Sequence, residues 1–322
     1  MLRRRTKVVL IAIAALSLLY LGLTFAIPLW WSGPCGPHCE RSLGALWIGP
    51  ASITLSEVRI EAGNDDVERW EVSASRIVLE PRWAELWTGK PSFRRAEVQG
   101  LRVKLLEGDA PKKKSEPGPA PAFRIDALRV VGGRFAYERR YRGRRGSLKF
   151  SEINMTAGTL RPELATQATP VKLTALMGKS GQVAIDLNAR FFASDPELRL
   201  RLTLKALNLQ EANEYFRPLD ELELRGTLQE AVCEVRGGAR ELRANVALRF
   251  RGFDVDFHAG RERSGFSAAL GDLLGSMFFP EDTKGRAYAP GYATITREAN
   301  ESPVGFVLRG LKEAAMKAAQ KK

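Results

Sequence analysis

The sequence predicts a mostly β protein: a long antiparallel sheet assembled from repeated β-units, with short helices, behind one N-terminal transmembrane helix. Three observations carry this. Segment after segment alternates apolar and polar residues with period two; glycine and proline punctuate these segments at short intervals; and residues 8–27 form one uncharged apolar stretch. With 44% hydrophobic and 27% charged residues over 322 positions, the chain has globular composition and enough length to bury a core.

The first element is "VVLIAIAALSLLYLGLTFAI", preceded by Arg3, Arg4, Arg5 and Lys7. At ~1.5 Å per residue it is long enough to cross the hydrocarbon core of a bilayer. A cleavable signal peptide is the alternative, but the apolar run exceeds a usual h-region and "TFAIPLWW" lacks a small-x-small cleavage site. The expectation is therefore a single-pass anchor with residues 1–31 forming a basic cytoplasmic tip and the span. Positive charge stays inside, so Trp30 and Trp31 mark the far interface and the remainder is exported. An exported chain does not meet the genome, so its formal net charge of +13 is not read as a nucleic-acid signal.

Strands follow. In "ASITLSEVRIE" Ile53 and Leu55, then Val58 and Ile60, alternate with one change of phase, and in "GLRVKLLE" Leu101, Val103 and Leu105 alternate with Arg102 and Lys104. Residues 81–89 begin with proline and end with glycine, which predicts a short helical turn between strand pairs. Residues 32–107 thus form a first β-unit. "GDAPKKKSEPGPAPA", residues 108–122, reads as a solvated linker, because such proline-rich chain builds no ladder.

Residues 123–260 are expected to continue as antiparallel β-units. "ERRYRGRRG" is a basic hairpin tip, the pair Gly132 and Gly133 a turn or bulge, and Gly252 a bulge, since apolar parity flips between Phe250 and Phe253. The clearest strands are "GQVAIDLNARFF" and "ELRLRLTLKAL", where Leu198, Leu200, Leu202 and Leu204 alternate with Arg199, Arg201, Thr203 and Lys205. "NLQEANEYFRPL" predicts a short helix ended by Pro218, before strands containing Val246, Leu248 and Phe250. Residues 261–322 form a C-terminal helical cap region. Leu270, Leu273, Leu274, Met277 and Phe278 follow helical spacing, and a final basic helix from residue 303 either lies on a membrane surface or caps the last strand.

Chemistry-bearing residues are few. His38 and His258 are the only histidines, which leaves a Ser-His-Asp set or a multi-histidine metal site almost no material. "WWSGPCGPHCER" places Cys35 and Cys39 four apart, close to a thioredoxin-type loop. That chemistry needs a helix behind the cysteines to lower the thiol pKa, and "ERSLGALWIGPASITL" is glycine-punctuated and strand-like instead. Cys35, His38 and Cys39 give a soft metal three ligands without a fourth. The remaining reading is a disulfide between Cys35 and Cys39, a clip in an oxidising compartment. Cys233 reads as a small buried hydrophobe, and Asp254, Asp256 and His258 as the solvated face of a strand. No enzyme activity, cofactor or metal is expected. The basic tip, residues 139–145, either meets anionic headgroups at ~1 kcal/mol per residue or is a soluble hairpin end.

The order of these segments resembles a known family. A single N-terminal anchor followed by "RIVLEPRWAELWTGKPSFRRAEVQGLRVKLL" is similar to the opening unit of the AsmA-like superfamily. "FRIDALRVVGGRFAYE", "LTLKALNLQEANEYFRPL", "LELRGTLQ" and "FSAALGDLLGSMFF…VGFVLRGLKEAAMKA" resemble its DUF748 branch. The resemblance covers most of the chain after residue 40 and is one of pattern. It implies a sheet curved into a periplasmic β-groove of the bridge-like lipid-transfer type, here too short to cross a cell envelope alone. It also implies phospholipid or another envelope lipid as ligand, the inner membrane as anchor, and outer-membrane or envelope proteins as further partners. Leu200, Leu202, Leu204, Val246, Leu248 and Phe250 are the expected groove lining. The alternation itself leaves open an ordinary packed core, and a non-catalytic scaffold binding a protein partner is the rival function.

Overall fold

The computed structural model describes residues 32–36, 38–108, 122–162, 166–193, 197–220, 222–238, 240–257 and 291–297, with most positions from 306 to 314 and residue 317. The expected membrane span, the helix expected over 266–279 and nearly all of the 108–122 linker lie outside the described residues. Among the described residues no helix is long and apolar enough to cross a membrane.

Most of the described chain enters one large curved sheet. Its first strands are β1 (Gly33–Gly36), β2 (Cys39–Ser42), β3 (Ala45–Ile48), β4 (Ile53–Asn64) and β5 (Glu68–Pro81), followed by helix α1 (Trp83–Leu86), β6 (Ser92–Gln99) and β7 (Arg102–Glu107). Then come β8 (Arg124–Ile125), β9 (Leu128–Tyr141), β10 (Arg144–Ala157), β11 (Thr169–Met177), β12 (Gly181–Ala189) and β13 (Leu198–Asn208). A 3-10 turn (Leu209–Ala212) leads into α2 (Asn213–Asp220), and β14 (Leu222–Gly237), β15 (Glu241–Phe257) and β16 (Gly291–Thr296) complete the sheet. Strand, strand, helical turn, strand, strand is the observed order from β4 to β7.

The all-antiparallel expectation is corrected at one junction. β6 and β7 are two halves of one broken strand, antiparallel to β5 on one side and parallel to β9 on the other. Arg124 and Ile125 of β8 pair in parallel with Ser92 and Phe93, where β6 begins, so the chain re-enters the sheet at that end and β9 repeats the direction of its neighbour. The ladder passes through this point without a gap, and from β9 to β16 each strand pairs antiparallel with the next.

β9 and β10 form the expected hairpin. Its two turn residues, Arg142 and Gly143, both have positive φ (51° and 77°), the mirror-image turn that matches strand twist. Pro218 does not end its helix: α2 runs on to Asp220 with Pro218 inside it, although the ring removes the amide donor that would bond the Glu214 carbonyl. The 3-10 turn and α2 stand at the ends of the shorter strands β11–β13. Glu211 accepts from the backbone amides of Lys179 and Ser180 in the β11–β12 turn (2.6 and 3.1 Å). The Asn213 amide exchanges two hydrogen bonds with the backbone of Leu224, as a strand neighbour would (2.9 and 2.8 Å).

A line of left-handed backbone residues creases the sheet. Glu57 (φ 52°) stands opposite Ser75, Gly100 (φ 60°) abuts Ser75, Gly132 (φ 64°) follows on β9, and Glu152 (φ 51°) on β10. A second stretch contains Ala206 (φ 56°), Gly226 (φ 94°) and Gly252 (φ 57°). Each is a place where residues an odd number apart can share a face. Phe250 and Phe253, either side of Gly252, are both buried with ring centroids 4.7 Å apart, so the expected bulge is present.

Candidate functional site: an apolar sheet face

Register turns the alternation of single strands into rows that cross the sheet. One row runs Leu46, Leu55, Ile77, Val98, Val130, Met155, Leu173, Ile185, Leu202, Cys233 and Val246, each paired with the next across β3 to β15. A second, one pair along, runs from Ile48 and Ile53 through Leu79, Ala96, Leu128, Ala157, Val171, Leu187 and Leu200 to Val235 and Ala244. Burial follows the same parity: on β12, residues 183, 185, 187 and 189 are buried or half-buried while 182, 184, 186 and 188 are exposed. At ~4.8 Å per strand step, the band from β4 to β15 spans about 43 Å.

The two helical segments cover the C-terminal part of this face. Leu209 and Ala212 pack with Leu207, Leu224, Leu228, Ala231, Phe250 and Phe253, and Phe216 joins them. The final helical segment, described at most positions from 306 to 314, places Phe306 and Ala314 against Val235, Leu242, Ala244, Val246, Ala293 and Ile295. It approaches so closely that a Cβ on Gly310 would lie 2.4 Å from the Leu242 side chain.

All six predicted lining residues fall on this face, in different environments. Val246 (3% exposed) and Phe250 (7%) are buried beneath the helical segments. Leu200, Leu202, Leu204 and Leu248 are half-buried, as are Leu173, Ile185 and Leu187 beside them. Leu202 pairs with Ile185 on one side and Cys233 on the other. Cys233 has a free thiol, and burial pushes its pKa up to about 11.

The opposite face is charged. Lys172, Asp186, Arg201 and Glu234 are successive cross-strand neighbours, with separations of 4.0 Å for Lys172–Asp186 and 3.7 Å for Arg201–Glu234. Lys205 lies 3.3 Å from Glu230. Such exposed pairs contribute ~0.2–1 kcal/mol each and fix register more than they stabilise.

At the hairpin-tip end a polar network sits under α2. The Tyr137 hydroxyl donates to Glu107, and Arg139 donates to the Tyr215 hydroxyl. Burial, and next the bond to Glu107, pushes the Tyr137 pKa well above that of a free phenol. The basic tip therefore spends part of its charge internally: Arg139 serves this network, Arg145 lies 3.7 Å from Glu138, and Arg142 lies over the Tyr141 ring at 5.3 Å.

At the other end of the chain, Cys39 on β2 is disulfide-bonded, while the Cys35 side chain lies outside the described residues. Asp254 faces Arg225 at 4.0 Å, and His258 lies outside the described residues. Among the described residues no group of three or more His, Cys, Asp or Glu could hold a metal ion.

Sequence reading missed β16, whose "GYATIT" alternates too briefly to stand out, although its Ala293 and Ile295 are buried in the band. No protein-family model matches the chain, and no curated protein matches it.

Proposed function

We propose that this chain is an inner-membrane-anchored periplasmic protein of the AsmA-like, DUF748-related kind that holds or passes lipid along its apolar β-face and contributes to envelope homeostasis. The observation that carries the reading is the apolar row through Leu202: it crosses the sheet without a charged residue, and its central members are only half-buried. Apolar area left in water costs ~25 cal/mol per Å2, so an acyl chain laid along the band is stabilised by the surface it covers. Headgroups stay at the wet rim, and no bond is made or broken. A photoactivatable residue at Leu202 should form adducts with phospholipid in cells; adducts with protein alone would count against the reading.

A scaffold that binds a protein partner is the second reading. Trp87 and Trp47, 84% and 65% exposed, favour it, because large exposed aromatics are typical anchors of protein interfaces. The same photoactivatable group at Trp87 should then capture a protein neighbour, and capture of lipid alone would remove that support.

A further inference from the structure

On the polar face, beside the crease, the structure assigns a second site: we propose that Arg102 and Arg134 bind a phosphate-type oxyanion. β7 and β9 are parallel, and their register sets Arg102 directly opposite Arg134. Ser73 pairs with Arg102 on one side, and Ser151 lies at the β9–β10 bulge beside Arg134. The row therefore reads hydroxyl, guanidinium, guanidinium, hydroxyl, and it lines a concavity of about 520 Å3.

The charges around this row are already matched, while those in it are not. Lys104 lies 3.0 Å from Glu138, Lys149 2.6 Å from Glu214, and Glu71 2.9 Å from Arg59. Among the described residues neither Arg102 nor Arg134 forms an ion pair. Like charges directly opposite one another destabilise a sheet, and nothing in the packing requires them here, since both side chains are exposed. Ala136, between Lys104 and Lys149 in the next row, leaves room beside the guanidinium groups. Two adjacent guanidinium forks flanked by hydroxyl donors fit the tetrahedral oxygens of a phosphate, which accepts paired N–H donors. The polar-face position makes this site independent of the lipid reading of the apolar face.

The test uses the full chain in detergent, its Arg102→Gln/Arg134→Gln variant and the two single variants. Inorganic phosphate, against chloride at equal ionic strength, should raise the melting temperature of the unaltered protein by about 2–4 °C at ten times the dissociation constant, and leave the double variant unmoved. If instead dihexanoylphosphatidic acid alone gives the double-variant-sensitive shift, the oxyanion is a lipid headgroup; if phosphate suffices, it is the free ion. Without ligand, the single variants should melt no lower than the parent, because one of two opposed charges is gone. The proposal is overturned if neither probe shifts the parent beyond chloride, if the shift survives in the double variant, or if both single variants melt lower without ligand.

Discussion

Gly226 and Gly252 face each other across β14 and β15 so closely that a Cβ on Gly226 would lie 2.1 Å from the Gly252 carbonyl oxygen. Both residues are left-handed, and the contact is where β15 gains a residue on β14 and returns Phe253 to the face of Phe250. Gly226→Ala is expected to lower stability by about 2–4 kcal/mol, because backbone must move. Gly252→Ala, whose Cβ would meet nothing within 4 Å, should lose only about 1 kcal/mol from its positive φ. Urea unfolding of the two variants measures the difference, and equal losses would contradict the close approach.

Asp126 ties α1 to the strand after the linker. It accepts from Arg124 Nε at 2.7 Å and from Arg82 Nε at 3.2 Å, with a shorter contact to Arg82 Nη2. Burial alone would raise its pKa, but the hydrogen bonds from Arg82 and Arg124 outweigh this and hold the carboxyl below its usual range. A lowered folded pKa means stability that is present above the unfolded aspartate value of ~3.9 and lost as pH falls through the folded value. Asp126→Asn should cost about 1 kcal/mol at pH 7, a figure discounted for partial exposure, and the gap to the parent should close on acidification below about pH 4. Unfolding curves from pH 2 to 7 check it; a gap that widens in acid would contradict the sign.

For the N-terminal clip, a thiol count on denatured protein isolated without reductant is expected to return one, Cys233. Three would reject the pairing of Cys39 with Cys35. In the folded protein Cys233 should react slowly at pH 7, since burial holds its pKa near 11 and little thiolate forms.

What could be read in the sequence follows from how locally each feature is encoded. "LRLRLTLK" announces β13 because one face meets apolar neighbours and the other meets Asp186 and Glu234, a contrast every residue repeats. The crease is half legible. Gly132 and Gly252 mark it, whereas Glu57, Glu152 and Ala206 hold the same left-handed backbone with residue types that do not advertise it. The parallel junction and the Arg102–Arg134 pairing are not legible in the sequence, since both depend on where β8 and β9 join the sheet rather than on any neighbouring residue. Among the six predicted lining residues, alternation placed all on one face. It could not tell half-buried Leu202 from buried Val246, because the final helix that covers Val246 comes from some sixty residues further along the chain.

If the half-buried band around Leu202 carries lipid, as proposed, some of that lipid should survive purification. Purified full-length protein, washed free of loosely held lipid, extracted with organic solvent and examined by mass spectrometry, should yield co-purified phospholipid. Leu202→Asp should abolish this while Thr203→Asp, on the opposite face of the same strand, should not. A lipid-free extract from the parent protein, or equal lipid in both variants at matched stability, would contradict the account.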